Sequence, residues 1–182
     1  HGGPLDRDAR TRGKRVLLVY TGNGKGKTSA CVGQAIRALG QGLSVAFGQF
    51  MKKDGQAGEQ RMLAKLLGQH FLASGAGFYR DNDHATHRAK AEQLLVWAGE
   101  RLSQGVDMLI LDETIYALNH GLLMEEEVRE LITRCQSQGC HLVLSGRAAP
   151  DWLVALADIV SDITEVKHIY AQGGKARPGI EF

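Results

Sequence analysis

A glycine-rich loop between a strand and a helix constrains the fold of this chain more than any other feature of its sequence. The apolar run at residues 16–20 leads directly into the segment TGNGKGKT at residues 21–28, and a helical pattern follows. Glycine lets the backbone adopt positive φ angles, so that successive N–H groups can point at one anion. The start of the helix adds its positive dipole end. This order of elements predicts a cradle for the phosphates of a nucleoside triphosphate.

The side chains at the end of the loop fit the same chemistry. We expect Lys27 to neutralise phosphate oxygens and the Thr28 hydroxyl to bind Mg²⁺. The usual pattern, Gly-x4-Gly-Lys-[Ser/Thr], would put its first glycine at Thr21, whereas the glycines here stand at positions 22, 24 and 26. The loop is therefore expected to be tighter, or entered differently, than in an ordinary NTPase. The residues predicted to bind the nucleotide are Gly22, Asn23, Gly24, Lys25, Gly26, Lys27, Thr28 and Ser29.

Length and composition predict one domain. The chain has 182 residues, of which 43% are apolar, and its net charge of +2 gives no sign of a nucleic-acid partner. We expect a domain at residues 15–182 and a charged, mobile arm at residues 1–14. Because the first residue is His1 rather than Met, we expect either that the native N-terminal segment is missing or that the first residues are not native.

The cysteines and the hydropathy pattern bear on the compartment. The three cysteines include no Cys-x-x-Cys pair, so we expect buried thiols rather than disulfides or a zinc site. No apolar run reaches the ~18 residues that a membrane span needs. The simplest expectation is a cytoplasmic protein without a membrane partner.

Apolar runs alternate with helical patterns along the chain, which indicates an α/β fold with a mostly parallel sheet covered on both faces. The order is that of a P-loop NTPase. The predicted strands are residues 15–20, 43–50, 70–73, 106–111, 141–145 and 159–166. The predicted helices are residues 27–39, 57–67, 83–104, 125–138 and 150–157, with Asp83 as a candidate N-cap.

Two carboxylates follow the apolar strand at residues 106–111. Asp112 and Glu113 would reach the carboxyl edge of the sheet beside the glycine loop. Mg²⁺ is held by one or two carboxylates together with phosphate oxygens and water. We therefore predict a metal site of Thr28, Asp112 and Glu113, with Glu113 preferred over Asp112; helix N-capping is the alternative role for the two acids.

Three further clusters leave alternatives open. The loop with Phe78, Tyr79 and Arg80 could stack on a flat ligand, or its aromatic residues could anchor it in the core. Ser145 and Arg147, after a strand at the same sheet edge, could contact phosphates or form an ordinary turn. His84 and His87 could bind a metal, but no third ligand with matching spacing is evident. For this histidine pair, a solvated helix face is favoured.

Together these residues resemble the P-loop ATP:corrinoid adenosyltransferases, which act on cobalamin and its precursors. The resemblance runs from about residue 14 to the end of the chain. It rests on the loop variant, on Asp112 and Glu113, and on motifs along the rest of the chain. Those motifs are Gln49 and Phe50 with Lys52 or Lys53, Gly58 and Glu59, Gly77 and Phe78, Ser145 to Arg147, residues 156–158, residues 166–168, and the tail at residues 174–182.

The resemblance implies a reaction at the sugar end of ATP. A corrinoid reduced to Co(I) attacks the 5′ carbon and displaces the whole triphosphate, in synthesis or salvage of adenosylcobalamin. ATP is then the co-substrate and Mg²⁺ the metal, with Lys27, Thr28 and Glu113 as catalytic residues. The implied partners are a corrinoid (cobalamin, cobinamide or a precursor), an electron-donating flavoprotein reductase and a second copy of the chain.

The chain departs from the family at one point. Family members commonly carry Gly-Phe-Thr-Trp where this sequence has Gly77, Phe78, Tyr79 and Arg80. In the family, aromatic residues near the Phe78 position help to remove the lower axial ligand of cobalt. Arg80 keeps open one alternative function, a nucleotide-dependent module that binds a corrinoid without alkylating it. A small kinase or NTPase acting at the γ-phosphorus is the other alternative.

Overall fold

The computed structural model of the protein describes residues 15–77, 79–80 and 83–182. The predicted arm at residues 1–14 and the predicted corrinoid contact Phe78 lie outside these ranges. The described strands are β1 Leu17–Thr21, β2 Val45–Phe50, β3 Phe71–Ser74, β4 Met108–Asp112, β5 His141–Ser145 and β6 Ile159–Asp162. The helices are α1 Lys27–Gly40, α2 Gly58–Leu67, α3 His84–Ser103, α4 Thr114–Asn119, α5 Glu125–Gln138 and α6 Asp151–Leu156, with 3-10 turns at Gly68–His70 and Ile169–Gln172.

The six strands form one parallel sheet in the order β3-β2-β4-β5-β1-β6. Both faces of this sheet are buried. Along β4, Leu109 and Leu111 belong to the core cluster that includes residues of α3 and α5, whereas Met108 and Ile110 pack in the cluster with α1 and α2. Since side chains alternate along a strand, burial on both sides produces the continuous apolar runs of the sequence. The predicted α/β, P-loop NTPase-like fold is confirmed.

Four strands deliver their carboxyl ends to one place. In the sheet order, β2, β4, β5 and β1 are consecutive neighbours, so the segments that follow them meet at one edge. These segments carry Lys52, Glu113, Arg147 and the glycine loop, respectively. Ligands of open parallel sheets bind in the crevice outside such strand ends.

Several predicted boundaries were wrong. Strand β6 ends at Asp162 rather than at residue 166, and β4 extends to Asp112, so that this carboxylate lies in the strand. The short helix α4 was not predicted, because six residues show too little periodicity. Asp83 is the N-cap residue of α3, as predicted, although its side chain makes no cap hydrogen bond. His87 is 3% exposed and does not lie on a solvated face.

Among the described helices, none is long and apolar enough to cross a membrane.

Candidate active site

The three glycines of the loop serve two different purposes. Gly22 and Gly26 have φ angles of 99° and 124°, which residues other than glycine rarely adopt. Gly24 is required for space: its N–H donates to the carbonyl of Ile163 over 2.7 Å, and a Cβ at Gly24 would lie 2.6 Å from that oxygen. The segment after β6 therefore packs directly against the loop. The prediction of positive φ angles is confirmed for Gly22 and Gly26. Gly24, like Gly22, is needed for the close approach of the backbone at Ile163.

Lys27, the first residue of α1, points back into the loop. Its Nζ donates to the carbonyls of Gly22 and Gly24, each over 2.8 Å, and the residue is 7% exposed. Burial, assisted by the Arg147 guanidinium, lowers the pKa of Lys27. The ammonium is thus held inside the loop that is predicted to hold the phosphates.

Thr28 and Asp112 are joined across the site. The fully buried Asp112 accepts a hydrogen bond from Thr28 Oγ1 over 2.9 Å at Oδ2 and from Ser145 Oγ over 2.6 Å at Oδ1. Gln49 Nε2 also donates to Oδ2, over 3.2 Å. Both carboxylate oxygens of Asp112 are therefore engaged within the protein. Because the Thr28 hydroxyl donates its hydrogen bond to Asp112, the lone pairs of Thr28 Oγ1 can face a cation.

Glu113 is the carboxylate that remains open to a ligand. Its backbone is left-handed, with φ of 63° and ψ of 20°, and its N–H donates to Ser145 Oγ over 3.0 Å. A left-handed backbone at a residue other than glycine costs roughly 1–3 kcal/mol, and such strain clusters at functional sites. Burial and the nearby Asp112 carboxylate raise the pKa of Glu113. The turn directs the side chain into the cavity beside the loop.

That cavity has a volume of about 570 Å³, which is within the usual range for small-molecule sites. Its walls come from the loop, from the segments after β2, β4 and β5, and from the C-terminal tail. The lining residues are Gly24 to Ser29, Val32, Lys52, Gly58, Glu59, Glu113, Arg147, His168 and Gly179 to Phe182. Of the residues predicted to bind the nucleotide, Gly22 and Asn23 do not line the cavity, although the Gly22 carbonyl anchors Lys27.

The two predicted phosphate contacts after β5 are placed differently. Arg147 is exposed and lines the cavity. Ser145 is fully buried, and its hydroxyl bonds to the Asp112 carboxylate and the Glu113 N–H. In this structure Ser145 orients the two acidic residues and does not line the cavity. Its contact with phosphates stays a prediction.

Lys52 and Glu59 line the cavity although the residue pattern alone gave them no role. Lys52 Nζ lies 3.1 Å from Glu59 Oε1, 3.3 Å from Thr28 Oγ1 and 3.6 Å from Asp112 Oδ2. Burial disfavours the charge on Lys52, but Asp112 and Glu59 outweigh it and raise the pKa of Lys52. Lys52 follows β2, and β2 pairs with β4. Knowledge of this pairing would have placed Lys52 beside Asp112.

The loop predicted to contact a flat ligand is partly anchored in the protein. Tyr79 is half-buried; its hydroxyl lies 3.1 Å from His84 Nδ1, and its ring contacts His87 and His120 at centroid distances of 5.3 and 5.1 Å. For Tyr79, the structure matches the anchoring alternative. Arg80 is exposed, and neither residue lines the cavity.

The donor set suits a metal that is bound together with a nucleotide. In the part of the chain that the structure describes, no cluster of three or more His, Cys, Asp or Glu side chains would hold a metal ion. Mg²⁺ needs only one or two carboxylates when phosphate oxygens and water complete its octahedron. The Thr28 hydroxyl and the Glu113 carboxylate meet that requirement.

The chain matches known proteins along nearly all of its length. Residues 13–182 match the sequence model of the family described as ATP:corrinoid adenosyltransferase BtuR/CobO/CobP. A corrinoid adenosyltransferase of Pseudomonas aeruginosa is 36% identical over 181 residues, which cover 96% of this chain and 87% of that protein. A corrinoid adenosyltransferase of Escherichia coli K12 is 34% identical over 170 residues, or 92% and 85% of the two chains. One of Salmonella typhimurium is 34% identical over 172 residues, with the same coverage.

Proposed function

This chain belongs to the ATP:corrinoid adenosyltransferase family, and from that membership we propose how its own residues carry out the reaction. The 5′-deoxyadenosyl group of ATP passes to the Co(I) centre of a reduced corrinoid. A Co–C5′ bond forms, the C5′–O5′ bond breaks, and its electron pair leaves with the triphosphate. The observation that carries the proposal is the meeting of Lys27, Thr28 and Glu113 in one cavity on the glycine loop.

The loop and Lys27 bind the leaving group. The N–H groups of the loop and the dipole of α1 favour an anion at this position. Lys27 is already held in the loop by the carbonyls of Gly22 and Gly24, so its charge needs little reorganisation when the triphosphate departs. Fixed charges of this kind stabilise charge that develops in a transition state. Arg147 adds a second cation at the cavity wall.

Thr28 and Glu113 are the proposed ligands of Mg²⁺, and Asp112 and Ser145 orient them. When bound, Mg²⁺ would neutralise oxygens of the triphosphate. Asp112 accepts a hydrogen bond from the Thr28 hydroxyl, and Ser145 fixes both Asp112 and the backbone of Glu113. This assignment keeps Asp112 out of direct contact with the metal, because both of its carboxylate oxygens already accept hydrogen bonds from Thr28, Gln49 and Ser145.

The corrinoid is the second substrate, and its cobalt is the nucleophile. No general base is therefore required of the protein. We propose that the corrinoid lies near the loop that contains Tyr79 and Arg80, as the resemblance implies. The half-buried Tyr79, fixed by His84 and His87, would then support that loop rather than stack on the corrin ring.

Three broader assignments accompany the reaction. A flavoprotein reductase would supply the electron that produces Co(I). The reducing cytoplasm is the proposed compartment, which suits the three unpaired, buried cysteines. A homodimer is proposed from the resemblance, and light scattering after size-exclusion chromatography tests it.

An anaerobic product assay tests the activity. The protein is mixed with Mg-ATP and chemically reduced cobalamin or, separately, reduced cobinamide. The expected products are a light-sensitive Co–C compound and free triphosphate in equal amounts. Release of ADP and orthophosphate would instead indicate a kinase or NTPase. Binding of both substrates without turnover would indicate a corrinoid-binding module.

A further inference from the structure

Lys52 occupies an unusual position for a lysine beside a phosphate loop. Its ammonium contacts oxygens from three separate elements: Thr28 at the start of α1, Asp112 at the end of β4, and Glu59 in α2. The distances are 3.3, 3.6 and 3.1 Å, respectively. The lysine side chain is 30% exposed and lines the cavity with the loop.

Hydroxyl and carboxylate oxygens are the kinds of ligand that a hard divalent cation prefers, and one of the three, Thr28 Oγ1, is a proposed ligand of Mg²⁺. Thr28 donates its proton to Asp112 Oδ2 over 2.9 Å, so its lone pairs receive the hydrogen bond from Lys52. The ammonium therefore lies on the side of Thr28 from which a metal would bind. The Lys52 ammonium and a metal ion are both cations, so they cannot occupy that side of Thr28 at the same time.

We propose that Lys52 is an internal counter-cation, which holds the place of the divalent cation until the nucleotide arrives and then turns toward the triphosphate. The inference rests on the proposed Mg-ATP site and adds a residue to it. A lysine in this position stabilises the carboxylates of Asp112 and Glu59 while the site is empty. It also opposes binding of a divalent cation alone, so that metal and nucleotide enter together.

The carboxylates of Asp112 and Glu59 would keep their positions if Lys52 moved away. Gln49 is fully buried, and its Nε2 donates to Asp112 Oδ2 over 3.2 Å and to Glu59 Oε1 over 3.3 Å. Its own Oε1 accepts from Gln60 Nε2 over 3.0 Å, which fixes the amide. The two carboxylates are thus held in place by neighbours other than Lys52, and the exposed part of the lysine has the cavity to enter.

Binding of Mn²⁺ in the absence of nucleotide tests the proposal. Mn²⁺ is followed by electron paramagnetic resonance or calorimetry on the wild type, on Lys52→Met, and on Lys65→Met as the matched control. Lys65 is an exposed lysine of α2, outside the cavity. We expect Lys52→Met to bind Mn²⁺ at least tenfold more tightly than the wild type, and Lys65→Met to equal the wild type. Equal affinity of Lys52→Met and wild type would overturn the proposal.

The charge at this position, rather than the shape of the side chain, should decide the outcome. Lys52→Arg keeps the cation and should show no gain in Mn²⁺ affinity; a gain as large as that of Lys52→Met would contradict the proposal. If Lys52→Met has no cooperative unfolding transition, Lys52→Gln replaces it under the same criterion, because glutamine can still donate a hydrogen bond to Glu59. Mn²⁺ should raise the melting temperature of the variant that binds it.

The second half of the proposal is tested with inorganic tripolyphosphate and Mg²⁺. We expect Lys52→Met to bind this anion about tenfold more weakly than the wild type, and Lys65→Met to bind it normally. Unchanged affinity would refute the movement of Lys52 to the triphosphate. Neither measurement uses a corrinoid or turnover, so failure of the adenosyl transfer in the product assay is distinguished from failure of the Lys52 proposal.

Discussion

Gly24→Ala should separate the phosphate loop from the segment that braces it. A Cβ at this position would lie 2.6 Å from Ile163 O, 2.8 Å from Thr164 C and 2.9 Å from Glu165 N. All three atoms belong to the backbone, so no side chain can rotate away. The same loop residue donates its N–H to Ile163 O over 2.7 Å. The new methyl group and this hydrogen bond cannot both be accommodated.

The size of the effect follows from these distances. Carbon contacts are most favourable at about 3.5–4.0 Å, so the two segments must move apart by roughly 0.6–1 Å. Overpacking of this kind costs about 1–3 kcal/mol, and loss of the hydrogen bond about 1 kcal/mol more. Since β6 is an edge strand, part of the strain can relax locally. We expect the free energy of unfolding to fall by about 2–3 kcal/mol.

Gly33→Ala is the matched control. Gly33 is an exposed residue of α1, and a Cβ there would have no atom within 4 Å. Alanine in a helix interior is favoured over glycine by about 0.5–1 kcal/mol, so this variant should gain stability. With a urea m-value of about 2 kcal/mol/M, the unfolding midpoints of the two variants should differ by more than about 1 M.

The nucleotide provides a second measurement. The Gly24 carbonyl accepts a hydrogen bond from Lys27, so displacement of the loop should weaken ATP binding by tenfold or more, whereas Gly33→Ala should bind ATP normally. Calorimetry with Mg-ATP measures both affinities. Equal unfolding midpoints and equal ATP affinities for the two alanine variants would refute the explanation that Gly24 is needed for close approach.

Three further changes test the groups around the loop. Ser145→Ala removes a 2.6 Å hydrogen bond to Asp112 and leaves a backbone N–H unpaired, so urea unfolding should show a loss of about 2–4 kcal/mol, against less than about 0.5 for the exposed Ser137→Ala. Lys27→Ala should abolish ATP binding in calorimetry, and near-normal binding would contradict its assignment. Because the pKa of Glu113 is raised in the folded state, its ionised form destabilises the fold. Glu113→Gln should therefore be more stable than wild type at pH 7, and this advantage should disappear below about pH 4.5. Parallel curves of unfolding free energy against pH for the two proteins would contradict this.

Much of the fold follows from local pattern. Strand β5 and helix α5 were predicted at their observed residues, His141–Ser145 and Glu125–Gln138, because apolar runs and helical spacing are unambiguous there. The glycine loop and the acidic pair after β4 were also predictable, since each lies at the end of a buried strand. What joins them is the parallel sheet, whose strand ends meet at one edge.

The contacts made by individual side chains were not predictable in the same way. The sequence could bring Ser145 to the correct edge but could not say whether its hydroxyl faces the cavity or Asp112, because that depends on the rotation of the strand. The left-handed backbone of Glu113 has no local signature, since the residue is not glycine. Lys52 joins the site through the pairing of β2 with β4, which is a property of the topology rather than of any motif.

Glu113 also offers a way to decide between the two kinds of phosphate chemistry. A raised pKa in a cavity would suit a general base for transfer at the γ-phosphorus as well as a metal ligand. The adenosyl transfer needs no base, because cobalt is the nucleophile. If Glu113 acts as a ligand of Mg²⁺, the activity lost in Glu113→Gln should recover in part as the Mg²⁺ concentration is raised. If it acts as a base, excess Mg²⁺ should leave kcat low at every concentration, and that result would refute its assignment to the metal.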